Sequence, residues 1–219
     1  MLVLAIDTSC AAVSTAVVSL TEQIALLARR APIAARGHGE LLAPSIAECL
    51  HDAAVEPAGI GAVVAGTGPG PFTGLRVGLV TAAAFADALG VPTYGVCSLD
   101  AIAAACADEP QLLVATDARR SEIYWARYAS GSRTDGPAVS RPAEAPVDGV
   151  SALAGTAAEL YPDGWPELPR RPERYPDPLA LVICAADRLT GAAPSEALSP
   201  LYLRRPDAVA PSAPKQVTR

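Results

Sequence analysis

Two stretches hold residue types at spacings that could do chemistry. The first is Asp7-Thr8-Ser9, an acid followed by two hydroxyls between apolar runs. Such a turn can offer N–H and hydroxyl donors to a phosphate, its carboxylate placing a metal-bound water. It can equally satisfy its own backbone, as Asp and Ser commonly do in turns. The second is the glycine loop, Gly66-Thr-Gly-Pro-Gly-Pro-Phe-Thr-Gly-Leu-Arg-Val-Gly78. Its five glycines allow close backbone approach, and Pro69 and Pro71 restrict its freedom, so it reads as a fixed loop. It lacks the Gly-Lys-Ser/Thr ending of a P-loop, the chain's only lysine being Lys215, and it lacks Gly-x-Gly-x-x-Gly spacing. No phosphate cradle is complete.

The remaining candidates are sparser. Arg76 is expected in the first turn of a helix, where it opposes the helix dipole and calls for a carboxylate, a phosphate or solvent. His38 and Glu40 have acid–base chemistry but no positioned nucleophile beside them, so a capping or interface role is favoured. The two histidines lie thirteen residues apart and the five cysteines are scattered without a Cys-x-x-Cys pair. That spacing predicts no metal site and reduced thiols.

These residues need elements to place them. Apolar patterning predicts strands over 2–6, 12–19 and 23–29, with Asp7-Thr8-Ser9 in the first turn. A helix follows over 41–52, with Pro44 in its first turn. A buried strand over 60–65 runs into the glycine loop, which feeds a helix over 75–89 capped by Gly90. A strand over 93–96 and a helix capped by Ser98 close this half near residue 107. The chain restarts with strands over 112–116 and 122–128, the second placing Ile123 and Trp125 on one face. Fourteen of the twenty-one prolines lie beyond position 136, which predicts edge structure rather than a second full layer. One amphipathic helix is expected over 178–191, with Leu179, Val182, Ile183, Ala186 and Leu189 on its apolar stripe.

Composition narrows the function classes. The chain has 219 residues, 51% of them hydrophobic, and a net charge of −6. Sixteen of its seventeen basic residues are arginine. A net negative chain is poorly suited to grip RNA by itself, since phosphate affinity comes from clustered Lys and Arg. The N-terminus has no basic region before its apolar run, and no run approaches the length of a bilayer span. A cytoplasmic location is expected.

The glycine loop, Gly68-Pro-Gly-Pro-Phe-Thr-Gly-Leu-Arg-Val-Gly78, resembles the signature of the bacterial TsaB (YeaZ) family. The resemblance extends to Leu4-Ala-Ile-Asp-Thr-Ser9, His38-Gly-Glu-Leu-Leu-Ala-Pro44, Gly95-Val-Cys-Ser-Leu-Asp100, Asp117-Ala-Arg-Arg-Ser-Glu-Ile-Tyr-Trp-Ala126 and Pro200-Leu-Tyr-Leu-Arg204. These blocks keep the family's order, although residues 130–178 match none of its motifs. The resemblance implies an actin-like α/β fold of the actin, Hsp70 and sugar-kinase superfamily, complete in an N-terminal half and reduced in a C-terminal half. The boundaries expected are 1–107, 108–205 and a loose tail over 206–219.

The function implied is that of a non-catalytic scaffold in N6-threonylcarbamoylation of the tRNA adenosine beside the anticodon. Its partners would be a catalytic TsaD-type subunit, a TsaE-type ATPase and a second copy of itself. tRNA would be met only through the complex. ATP and a metal ion would serve the complex, with no cofactor held by this chain alone. The alternatives are an ATPase or kinase-like enzyme and a metallopeptidase-like enzyme of the same superfamily. Against the last stands the missing His-x-x-x-His metal motif of the catalytic relative.

The interface expected lies on the two helices flanking the glycine loop. It comprises His38, Glu40, Leu41, Leu42, Arg76, Val77, Gly78, Thr81 and Ala84, with a second apolar row through Val77, Thr81, Ala84 and Ala88. The signature loop is Gly68, Pro69, Gly70, Phe72, Thr73 and Gly74. Asp7, Thr8 and Ser9 are the candidates for a vestigial phosphate loop.

Overall fold

The computed structural model describes residues 1–34 and 36–204; the expected tail over 206–219 lies outside them. Five strands form the first sheet: β1 (Leu2–Asp7), β2 (Ser14–Leu20), β3 (Ile24–Arg30), β4 (Ile60–Gly66) and β5 (Thr93–Val96), in the order β3-β2-β1-β4-β5. β2 runs antiparallel to β1 and β3, while β4 and β5 run parallel to β1. This is the half-unit of the actin-like fold. Its central strands are apolar throughout because both faces are covered. Leu4, Ile6, Val13 and Val17 join a core under α1 (His38–Asp52) and α2 (Phe72–Leu89). Val3, Ala5, Ala16 and Val18 join a core on the other face with α5 (Pro178–Thr190).

The second sheet holds β6 (Gln111–Arg119), β7 (Glu122–Ala129), β8 (Ser132–Ser140) and β9 (Ala152–Ala154), in the order β8-β7-β6-β9. Residues 169–173 run along β9's free side. The Leu153 N–H donates to the Pro169 carbonyl (2.9 Å), Arg171 N–H to Leu153 (2.8 Å) and Gly155 N–H to Glu173 (2.8 Å). They take the place that β5 holds in the first sheet. The reduction lies in the helices: α4 (Ala157–Leu160) is a single turn. Between the sheets sits α3 (Ser98–Ala104), whose Leu99 and Ile102 bury against Leu112, Val114 and Tyr124.

Several local expectations shift. α1 begins at His38, so Pro44 falls in its second turn and leaves the Glu40 carbonyl without a helical donor, at an exposed position where water can serve. α2 begins at Phe72, which moves Arg76 out of the first turn. At 18 residues and mean hydropathy 1.3, α2 is long and apolar enough to cross a membrane by length and composition, although Thr73, Arg76, Thr81 and Asp87 break its apolar run. Its Leu75, Leu79, Ala82 and Ala86 nevertheless bury on the first sheet. Gly90 ends α2 at φ 65°, as expected. The buried stripe of α5 is Ala180, Leu181, Val182, Ala185 and Leu189; Ile183 is exposed. Because α5 packs on the first sheet, residues 108–205 are not confined to the second. The segment after α5 then shields the β5 edge: Glu196 N–H donates to the Thr93 carbonyl (2.8 Å), and its carboxylate accepts from Gly95 N–H (3.1 Å) and pairs with Arg188 (2.7 Å).

Candidate functional site

A cavity of about 720 Å³ opens between the two sheets. Its first wall is the turn after β1, with Thr8, Ser9 and Cys10, together with the N-terminal end of α1 and Thr73, Gly74 and Val77 of α2. Its second wall carries Thr116, Asp117, Arg119, Thr156 and Arg174. Sequence reasoning found the first wall through its acid–hydroxyl turn and glycines. It reached the second only in part: Asp117 and Arg119 lie in the Asp117–Ala126 block, whereas Thr116, Thr156 and Arg174 were not singled out.

Asp7 lies beneath this wall and is 1% exposed. One carboxylate oxygen accepts both the Ser9 N–H (2.8 Å) and the Ser9 hydroxyl (2.7 Å). The other accepts the Ser98 hydroxyl at 2.5 Å. Ser98 was expected to cap α3. Cys97 holds that cap position without a side-chain bond, and the Ser98 hydroxyl bridges Asp7 to the glycine loop by accepting Gly68 N–H (3.1 Å). Burial raises the Asp7 carboxyl above the ordinary carboxylate value, against the lowering effect of the Ser98 and Ser9 hydrogen bonds.

The glycine loop closes over the turn. A Cβ on Gly66 would overlap the Asp7 carboxylate, one on Gly70 the Ser9 carbonyl, and one on Gly78 the Thr8 hydroxyl. That hydroxyl donates to the Gly74 carbonyl (2.7 Å) and accepts Gly78 N–H (2.9 Å). The loop's glycines therefore serve close packing onto Asp7-Thr8-Ser9, whose polar groups are spent inside the protein.

His38 and Glu40 do not cap α1; Gly37, at φ 86°, holds that position with no side-chain bond. The His38 Nε2–H donates to the Cys10 carbonyl (2.7 Å), tying α1 to the same turn. Leu42 is 1% exposed and Gly78 is buried, so neither presents a surface. Leu41, Val77 and Thr81 are half-buried, while Glu40, Arg76 and Ala84 are exposed. The outward row of α2 runs through Arg76, Val80, Ala83, Ala84 and Asp87. Of the row expected, Ala84 and Ala88 do face outward, while Val77 lines the cavity and Thr81 is half-buried.

The structure also bears on nucleophiles and metals. All five cysteines are free thiols. Burial raises the Cys10 thiol, at the cavity, and pushes Cys97 up to about 11 and Cys106 up to about 12, which keeps them protonated near neutrality. Among the described residues no three His, Cys, Asp or Glu side chains gather as a metal site would require.

The family model for TsaD, described as tRNA N6-adenosine threonylcarbamoyltransferase, matches residues 31–164. The chain belongs to this family and is of its TsaB type. A protein of Mycobacterium tuberculosis is 48% identical over 206 residues, covering 94% of this chain and 93% of that one. The tRNA threonylcarbamoyladenosine biosynthesis protein TsaB of Escherichia coli is 28% identical over 58% of this chain and 61% of its own. The YeaZ structure from Pseudomonas aeruginosa superposes with a TM-score of 0.78 at 27% identity, covering 92% of this chain and 99% of that one. The TsaB-type chain thus has the actin-like fold that its glycine loop implied.

Proposed function

We propose that this TsaB-type chain takes part in tRNA threonylcarbamoyladenosine biosynthesis as a non-catalytic subunit. It pairs through the outward faces of α1 and α2 with a TsaD-type transferase subunit, and a TsaE-type ATPase joins the pair. In the partner's absence the same faces support a homodimer. The names of the Escherichia coli and Bacillus subtilis relatives support the pathway. One observation carries the non-catalytic role. Both Asp7 oxygens are occupied by Ser9 and Ser98, so the carboxylate does not fit a metal-bound water. The ATP and metal ion that the reaction needs are accordingly assigned to the partners.

The chain's part is then to hold a surface in place. The glycine loop locks α2 to the β1–β2 turn through Thr8, and His38 locks α1 to that turn through Cys10. The two helices therefore present their outer faces in fixed relation. The net charge of −6 leaves tRNA contact to the complex, and a part in tRNA modification favours a cytoplasmic setting. A filter-binding titration at physiological salt is expected to show no submicromolar complex between this chain alone and tRNA. Tight binding there would contradict the assignment of RNA to the partners.

A further inference from the structure

Phe72, Arg76 and Tyr202 form a surface cluster that the site above leaves unused. Phe72 is 47% and Tyr202 40% exposed, and their rings stack with centroids 5.1 Å apart and planes at 27°. The Arg76 guanidinium carbon lies 3.8 Å from the Phe72 ring centroid and 5.8 Å from that of Tyr202. Its Nε donates to the Tyr202 hydroxyl at 2.7 Å. Tyr202 is brought there from far along the chain. Its neighbour Leu201 donates a backbone N–H to the Thr67 carbonyl (2.8 Å), fixing the segment to the start of the glycine loop.

The arrangement fixes a cation without neutralising it. Among the described residues Arg30, Arg119, Arg171, Arg174 and Arg188 each meet a carboxylate, whereas Arg76 meets none. Among the described arginines that meet no carboxylate, Arg76 is the one whose guanidinium lies over aromatic rings. Stacking holds the guanidinium plane and the Tyr202 hydroxyl takes Nε. The two terminal nitrogens remain, and their planar N–H fork matches a carboxylate. Val80, one turn along α2, is 66% exposed and extends the cluster as an apolar surface. Aromatic residues and arginine are the types that anchor protein interfaces.

We propose that Arg76, held by Phe72 and Tyr202, is the anchor for an aspartate or glutamate carboxylate on the protein that pairs with this chain. The inference rests on the pairing proposed above and names its central contact. A protein carboxylate is favoured over an RNA phosphate on charge. An RNA backbone needs several cations in a row, and here two aromatic rings flank a single one.

The test is the affinity of the full chain for the TsaD-type protein of the same genome, measured by calorimetry at low and physiological salt. Arg76→Glu is expected to weaken the complex about a hundredfold. Arg76→Lys, which keeps the charge and loses the fork, is expected to weaken it roughly tenfold. Both variants should melt as the wild type does, since Arg76 is exposed. Reversing one acidic residue of the partner to arginine should restore binding to Arg76→Glu. If the wild type binds and Arg76→Glu binds equally tightly, the anchor is overturned while the pairing stands. If the wild type forms no complex, both are overturned. If Arg76→Glu keeps partner affinity but abolishes tRNA binding by the assembled pair in a filter assay, the anion belongs to RNA and the proposal fails.

Discussion

The Ser98 hydroxyl reaches the Asp7 carboxylate across 91 residues of sequence, at 2.5 Å, in a site closed to solvent. The bond ties the start of α3 to the end of β1, and the burial that comes with it raises the Asp7 pKa although the bond itself lowers it. The raised value carries a pH dependence of fixed sign. A folded-state pKa above the unfolded value means that the native chain holds the proton more tightly, so Asp7's contribution to stability grows as pH falls. That gain runs from the folded pKa down to the unfolded carboxylate value, about 3.9. Asp7→Asn lacks this dependence. Urea melts of both proteins between pH 7 and pH 4 should show the wild type gaining on the variant as pH is lowered. A difference that is flat, or that grows toward pH 7, would show the carboxylate to be comfortably ionised.

The glycine loop predicts opposite outcomes for two glycine-to-alanine changes. Gly70 presses on the Ser9 carbonyl, a backbone atom that cannot step aside, so Gly70→Ala should cost about 1–3 kcal/mol. Gly39 lies in α1 with nothing within 4 Å of its would-be Cβ, and Gly39→Ala should gain up to about 1 kcal/mol through helix propensity. Denaturant midpoints at constant m-value check both. Equal effects would mean that the loop does not rest on the turn as described.

The shape of α2 dictates which variants probe pairing. Val77→Glu with Leu41→Glu, the choice that adjacency in sequence suggests, puts charges on half-buried residues packed against the first core. That pair should lose stability, roughly 1–3 kcal/mol for each buried polar group. Val80→Glu with Ala84→Glu lies on the exposed row and should cost only a few tenths of a kcal/mol. It is expected to abolish association, read as mass by light scattering and as partner recovery in a pull-down. A Val80→Glu, Ala84→Glu protein that still pairs at wild-type strength would move the interface off α2.

The strands of the first sheet were legible because both faces of β1, β2 and β4 are buried and leave unbroken apolar runs between turns. The Thr93–Val96 strand falls where it was read. Helix starts were less legible. Neither Gly37 nor Pro71 supplies a side-chain cap, so α1 and α2 each begin three residues before the apolar period becomes visible. Asp7-Thr8-Ser9 and the glycines were recognisable as special, but their mutual contact was not. Ser98 looked like a helix cap because a hydroxyl before an apolar run has that local meaning, and only the fold brings Asp7 to it. Arg174 carries no local signal, and Tyr202 stands out only as part of the Pro200–Arg204 block, since the roles of both depend on chain segments that return from far away. Residues 169–173 escaped as a strand substitute because Pro169 and Pro172 lie within them.

The central claim is that this chain supports a reaction without performing it. Its most direct test is tRNA threonylcarbamoylation reconstituted from the purified TsaD-type, TsaE-type and adenylate-forming proteins of one genome, with and without this chain. The same preparation of the chain alone is assayed for ATP hydrolysis. Modification should require the chain, and Asp7→Asn should sustain it as well as the wild type, while the chain alone turns over no ATP. ATP turnover by the chain alone that disappears in Asp7→Asn, or modification that proceeds equally well without the chain, would contradict the account.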